Sequence, residues 1–104
     1  MKYNNDPFYK SDKWKKKRAN VLRIHEYTCQ ECKRYGRTRP ATVVHHVYPL
    51  EDYPEYKLLT KNLYSCCDKC HNSFHNRFTN ELTEKGIRLM KRINLNKNEL
   101  NLNL

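Results

Sequence analysis

Apolar side chains recur along the chain at two spacings, and the change from one to the other marks out its elements. From Ser11 or Asp12 the pattern is helical: Trp14, Val21, Leu22 and His25 share one face, while Lys13, Lys15, Lys16, Lys17 and Arg23 occupy the others. Either Ser11 or Asp12 offers a side-chain oxygen to cap the first turn. Ahead of it, residues 1–10 set Asn4, Asn5, Asp6 and Pro7 among aromatics and read as an arm that its rings could pin to the domain. Thr42, Val43, Val44, His45, His46 and Val47 form the stretch of highest β propensity, a strand closed by Pro49. Asn62, Leu63, Tyr64 and Ser65 read as its return partner in a two-stranded ribbon. The connection between them, residues 50–61, is long for so small a unit and rich in Tyr53, Pro54 and Tyr56; it is either a binding loop or a span with Leu58 and Leu59 tucked beneath it.

Helical spacing resumes near Asp68, where Cys70, Phe74 and Phe78 fall on one i, i+4 stripe, and again over residues 82–93, where Leu82, Gly86, Leu89, Met90 and Ile93 are in register. Gly86 costs such a helix up to about 1 kcal/mol relative to Ala unless close packing requires it. From Asn94 onward Asn and Leu alternate in a polar tail, expected to be flexible or to reach a partner. The pattern therefore predicts an α+β unit over residues 11–93, with its core at 27–78, between an arm and the tail 94–104.

Composition changes this picture by showing how little apolar material the core has. Of 104 residues 38% are hydrophobic, and the mean hydropathy is -1.07. Chains this small and polar often need a crosslink or a metal. No apolar run spans the roughly 30 Å of a bilayer core, and the basic start is not followed by an apolar signal segment, so a cytoplasmic protein without membrane contact is expected. Lys and Arg number 21 against 11 Asp and Glu, a formal charge of +10. Residues 1–39 alone hold 12 basic and 4 acidic side chains. Such a field suits a polyanion, nucleic acid foremost. The side chains expected to meet phosphates are Lys13, Lys16 and Lys17 on the first helix, Arg34, Arg37 and Arg39 around Gly36, and Arg77.

The cysteines supply the crosslink. Five is an odd count for a disulfide framework, whereas Cys29 with Cys32 and Cys67 with Cys70 have the two-residue spacing of two knuckles closing on one structural zinc. Cys66 is the spare; in place of Cys67 it would give a less usual spacing of three. The histidines form a separate group. His71 and His75, at i and i+4 after Cys70, would face the same way on a helix. His45 or His46 on the strand could complete a second, open centre, and since neighbours on a strand point to opposite sides the two cannot share one role. A divalent ion there with a free imidazole beside it suits phosphodiester hydrolysis.

Together, Cys29 and Cys32, the Val44-His45-His46-Val47 run before Pro49, Asn62-Leu63, and Cys67, Cys70, His71 and His75 resemble the HNH nucleases and their ββα-metal core. With the Trp14 helix and the Gly36 loop included, the likeness covers roughly residues 9–78 and is similar to the small stand-alone HNH proteins of phages and prophages. The resemblance implies that His45 and His71 bind the catalytic ion, with His75 an additional ligand and Asn72 a rival. It implies that His46 is the general base and that Asn62 holds the base strand across the loop. Many relatives carry Asp where His45 stands, which leaves the ion open between magnesium or manganese and nickel or zinc. The implied activity is a DNA endonuclease of low sequence specificity, nicking or cutting both strands, in the host cytoplasm and alongside terminase and portal proteins in genome packaging. The alternative is a zinc-stabilised nucleic-acid-binding module without catalysis.

Overall fold

The computed structural model describes residues 6–96. At its centre an antiparallel hairpin joins β1 (Val43–His46) to β2 (Leu63–Cys66), pairing Val43 with Cys66, Val44 with Ser65, His45 with Tyr64 and His46 with Leu63. Side chains alternate across a strand, so the hairpin buries two separate surfaces. Val44 and Leu63 join Trp14, Val21 and Leu22 of α1 (Asp12–Ile24). Cys66 and Val47 enter a second core with Cys29, Cys32, Cys70, Phe74 and Leu89. The result is the expected α+β arrangement, with helices flanking one small sheet and a cluster of four cysteines beside it.

Ser11 rather than Asp12 caps α1, its Oγ accepting from the Trp14 N–H at 3.2 Å. Asp12 then sits in the first turn, where its charge complements the helix dipole. The arm is more regular than its sequence suggests. Pro7–Lys10 forms a 3-10 turn capped by Asp6, and the rings of Phe8 and Tyr9 lie 5.4 and 5.7 Å from that of Trp14. Aromatic packing thus brings this segment into the domain; residues 1–5 of the expected arm lie outside the described residues.

The ligand turn after α1 contains a short helix, α2 (Gln30–Arg34), capped by the Cys29 thiol, which accepts from the Cys32 N–H at 3.4 Å. Gly36 takes the left-handed conformation, φ +76°, that reverses the chain after it. The connection 50–61 is packed: it holds 3-10 turns at Pro54–Tyr56 and Thr60–Asn62, and buries Tyr56 and Leu59. Asn62 ends the second turn, so the return strand begins one residue later than its sequence indicates.

α3 (Asp68–Ser73) is shorter than the i, i+4 stripe predicts, and Phe78 at its expected end is 85% exposed. The cause lies in Thr83, whose hydroxyl donates to the Ser73 carbonyl at 2.7 Å and whose N–H donates to that of Phe74 at 2.9 Å. Those acceptors are thereby lost to another helical turn. His75 is consequently not helical; it pairs with Leu82 in an isolated antiparallel bridge. The Thr83 oxygen also accepts from the Gly86 N–H, so α4 (Glu84–Ile93) starts beyond Leu82. At its far end Asn94 turns left-handed, and Leu95 is buried against Tyr56 and Leu59 with its N–H on the Tyr48 hydroxyl. Of the expected tail 94–104, Leu95 is thus buried while Asn94 and Asn96 are exposed; residues 97–104 lie outside the described residues. No helix among the described residues is long and apolar enough to cross a membrane.

Gly86 is required by contact. A Cβ there would lie 2.5 Å from the Phe74 carbonyl oxygen and 3.0 Å from Leu82 Cδ2. Gly86→Ala, which helix propensity alone would favour by up to about 1 kcal/mol, is expected to destabilise the fold by about 1–3 kcal/mol, read as a lower urea midpoint.

Candidate metal centres

Cys29, Cys32, Cys67 and Cys70 bring their sulfurs together at the meeting point of α2 and α3. Cys32 Sγ lies 3.9 Å from Cys67 Sγ and 3.7 Å from Cys70 Sγ. Those separations far exceed the roughly 2.05 Å of a disulfide. They match the edge of about 3.8 Å that follows from a tetrahedron with Zn–S bonds of about 2.3 Å. The donor set therefore fits a structural zinc. Cys66 is outside the cluster, buried in β2, and burial pushes its thiol pKa up, so it remains protonated. Sequence reasoning passed over Glu31 between the first two ligands. Its carboxylate is 3% exposed, accepts from the Tyr64 hydroxyl at 2.9 Å and lies 3.7 Å from Lys85 and 3.5 Å from Arg92. The knuckle is thus tied to β2 and α4, although nothing in the spacing distinguishes this Glu from a solvated one.

On the α3 side of the hairpin, His45, His71 and His75 gather, each offering one ring nitrogen within 4.8 Å of the others. Three different elements deliver them: β1, α3 and the bridge to Leu82. The His45 ring stacks on Phe74 at 4.8 Å, and its Nε2 is buried without a hydrogen-bond partner, as a metal-directed nitrogen would be. The Asn80 carbonyl, 3.3 Å from His75 Nδ1, accepts that N–H and leaves Nε2 as the donor atom. Burial, reinforced by the neighbouring imidazoles, pushes His45 well below its usual pKa and His71 down to about 4; burial also lowers His75. At neutral pH all three are uncharged and able to ligate.

His46 faces α1. Its ring stacks on Trp14 at 4.9 Å with Phe8 and Tyr9 edge-on, and burial lowers its pKa. Nε2 lies 3.0 Å from the Lys57 carbonyl, which can only accept, so this nitrogen carries the proton and Nδ1 is the lone-pair side, 3.5 Å from the Tyr9 hydroxyl. Asn62 braces the loop that supplies Lys57: fully buried, its Oδ1 accepts from the Tyr48 N–H at 2.7 Å and its Nδ2 donates to the Tyr48 and Tyr56 carbonyls at 3.2 Å. The carbonyl partner and the aromatic cover could not be read from spacing, although the rings of residues 8, 9 and 14 were a signal.

Despite facing apart, His45 and His46 both line one open cavity of about 900 Å³, together with His71, Asn72, His75 and Tyr9. Among the described residues its remaining wall includes Asp6, Glu51, Asp52 and Glu81 but only one cation, Arg18, which sequence reasoning had not placed at a site and whose guanidinium donates to the Thr42 carbonyl at 3.0 Å. None of the seven expected phosphate-binding cations lines it. Lys13 and Lys16 are exposed on α1, while Lys17 donates to Thr60 Oγ1 at 2.7 Å. Arg34 and Arg37 stack on Tyr35, Arg37 and Arg39 border a small cleft beside the cysteines, and Arg77 lies over Phe78.

Comparison with known proteins agrees with this geometry. The HNH endonuclease family matches residues 29–77, which hold both metal centres. A solved structure, the HNH endonuclease of the deep-sea thermophilic bacteriophage GVE2 with manganese ion, is 34% identical, with 68% of this chain and 77% of that one covered at a TM-score of 0.64. The chain belongs to the HNH endonuclease family. A comparison with curated proteins finds no match.

The two centres should separate by mutation. Cys70→Ser is expected to lose bound zinc and most of the folded circular-dichroism signal, because metal-binding free energy is also folding free energy. His71→Ala is expected to keep zinc and fold, and to bind manganese at least about tenfold more weakly by calorimetry.

Proposed function

We propose that the protein is a divalent-metal-dependent endonuclease that hydrolyses phosphodiester bonds of DNA. The observation that carries this reading is the pairing of a three-imidazole centre with a separately held imidazole in one cavity. A zinc-stabilised binding module has no use for a second donor set. His45, His71 and His75 would hold the ion, and three nitrogen donors favour nickel, zinc or manganese more than an all-oxygen site would, whereas magnesium would have to draw most of its oxygen ligands from water and phosphate. When bound, the ion supplies Lewis-acid stabilisation of the phosphate and of the departing 3′ oxygen.

The protein's own side chains do the rest. His46, fixed through Nε2 by the Lys57 carbonyl, presents Nδ1 as the base: it takes a proton from water as the new O–P bond forms and the P–O3′ bond breaks, and solvent protonates the leaving oxygen. Asn62 is a positioning residue, holding Tyr48 and Tyr56 and thereby the loop that orients the base. Four carboxylates on the cavity wall oppose a polyanion, so DNA would be drawn in by exposed cations outside it, Lys13, Lys16, Arg34, Arg37, Arg39 and Arg77, and by the ion itself. Contacts of that kind go to phosphates and read no bases, hence low sequence specificity. The phage origin of the manganese-bound relative supports a phage or prophage setting, and a place beside terminase and portal in genome packaging extends that reading.

The test replaces His46 with Gln, which keeps an N–H for the Lys57 carbonyl while removing the basic nitrogen. Manganese-dependent nicking of supercoiled plasmid is expected to fall at least about a hundredfold with zinc content and circular dichroism unchanged. Retained nicking would remove His46 as the base.

A further inference from the structure

The loop between His75 and Leu82 carries Phe78, 85% exposed and the most exposed of the large apolar side chains among the described residues. This exposure is built into the backbone. The His75–Leu82 bridge closes the loop at its base, the Asn76 N–H donates to the Glu81 carbonyl at 2.7 Å, and the Asn80 N–H donates to that of Asn76 at 2.8 Å. Inside it, Asn76 Oδ1 accepts from the N–H groups of Phe78 at 2.9 Å and Thr79 at 3.1 Å. Asn80 completes the turn at φ +65°. Hydrogen bonds on each side therefore hold the ring out in solvent.

Its surroundings indicate what it meets. Arg77 lies over the Phe78 ring, 5.1 Å from the centroid, so a flat apolar face and a cation are offered together. The next four residues, Thr79 to Leu82, line the cavity that contains the three imidazoles, and His75 stands at the base of the same loop. Three residues of chain reach at most about 11 Å, which keeps the ring within a few nucleotides of any phosphate held at the metal centre. A lone Phe presents roughly 150–250 Å², far below the approximately 800 Å² per partner of a stable protein interface. For a nucleic-acid base it is sufficient, and because every base has a π-face such stacking tolerates any sequence.

Building on the nuclease reading above, we propose that Phe78 stacks on a base beside the cleaved phosphate, with Arg77 against the neighbouring phosphate, so that the protein favours DNA whose bases are already unstacked. Single strands and mismatched duplexes are then better ligands than uniform duplex, which must first give up a stacked pair.

The experiment measures binding apart from cleavage, on zinc-loaded protein with no added manganese or magnesium. Fluorescent oligonucleotides containing 2-aminopurine are presented as a single strand, a mismatched duplex and a matched duplex to wild type, Phe78→Ala and Phe78→Trp. Wild type is expected to prefer the first two and to change their 2-aminopurine emission. Phe78→Ala should bind those two about tenfold more weakly (about 1.4 kcal/mol) with little change on matched duplex, and Phe78→Trp should retain the preference. The side chain is exposed, so zinc content and circular dichroism should not move. Equal affinities of Phe78→Ala and wild type, or an equal loss on all three ligands, would overturn the proposal. So would sedimentation showing a wild-type dimer that Phe78→Ala dissolves, which would assign the ring to a contact between copies. A wild type that shows the Phe78-dependent preference but never cuts DNA when manganese is added would overturn the nuclease reading while base stacking stands.

Discussion

Closure of four sulfurs around one point is the constraint on which the rest of this structure depends. α2 spans Gln30–Arg34 and α3 spans Asp68–Ser73, both far below the length at which an isolated helix persists in water. Each starts at or beside a cysteine ligand and is held where that cysteine is held. α3 in turn carries His71, so the centre suited to chemistry inherits its geometry from the centre suited to folding. The buried Glu31 carboxylate extends the same tie to β2 and α4. Taking a charge out of water is costly unless partners surround it, and here a hydroxyl and cations from other elements do so. The knuckle is therefore bound into the tertiary structure on both sides.

Placement of charge divides the molecule in another way. The chain is strongly basic overall, yet the cavity wall is acidic. The positive charge lies largely outside the cavity, and a cation held by the three imidazoles would offset the carboxylates on its wall.

Much of this was legible in the sequence because it is local. Alternation identified the hairpin, helical period identified α1, and paired spacing identified the thiol cluster with Cys67 rather than Cys66 as a member. The likeness to HNH proteins also singled out His45, His71 and His75, which the structure brings together. What the sequence hid depends on contacts between distant residues. The end of α3 is set by Thr83, which takes carbonyls that helical period would have left to the next turn. His75 reaches its neighbours from a bridge instead of a helix for the same reason. The loop over residues 50–61 showed its aromatics but not that the Lys57 carbonyl would meet His46. Charge runs showed how many cations there are, and only the fold shows that the seven expected to meet phosphates lie off the cavity while Arg18 lines it.

The placing of His45 and His46 on successive positions of β1 has a consequence for how this hairpin can change. Moving β1 by one residue against β2 would exchange the two imidazoles between the faces, putting the wrong ring on each side. A single insertion or deletion inside the strand would therefore misplace both imidazoles at once, even if every other contact of the hairpin were kept.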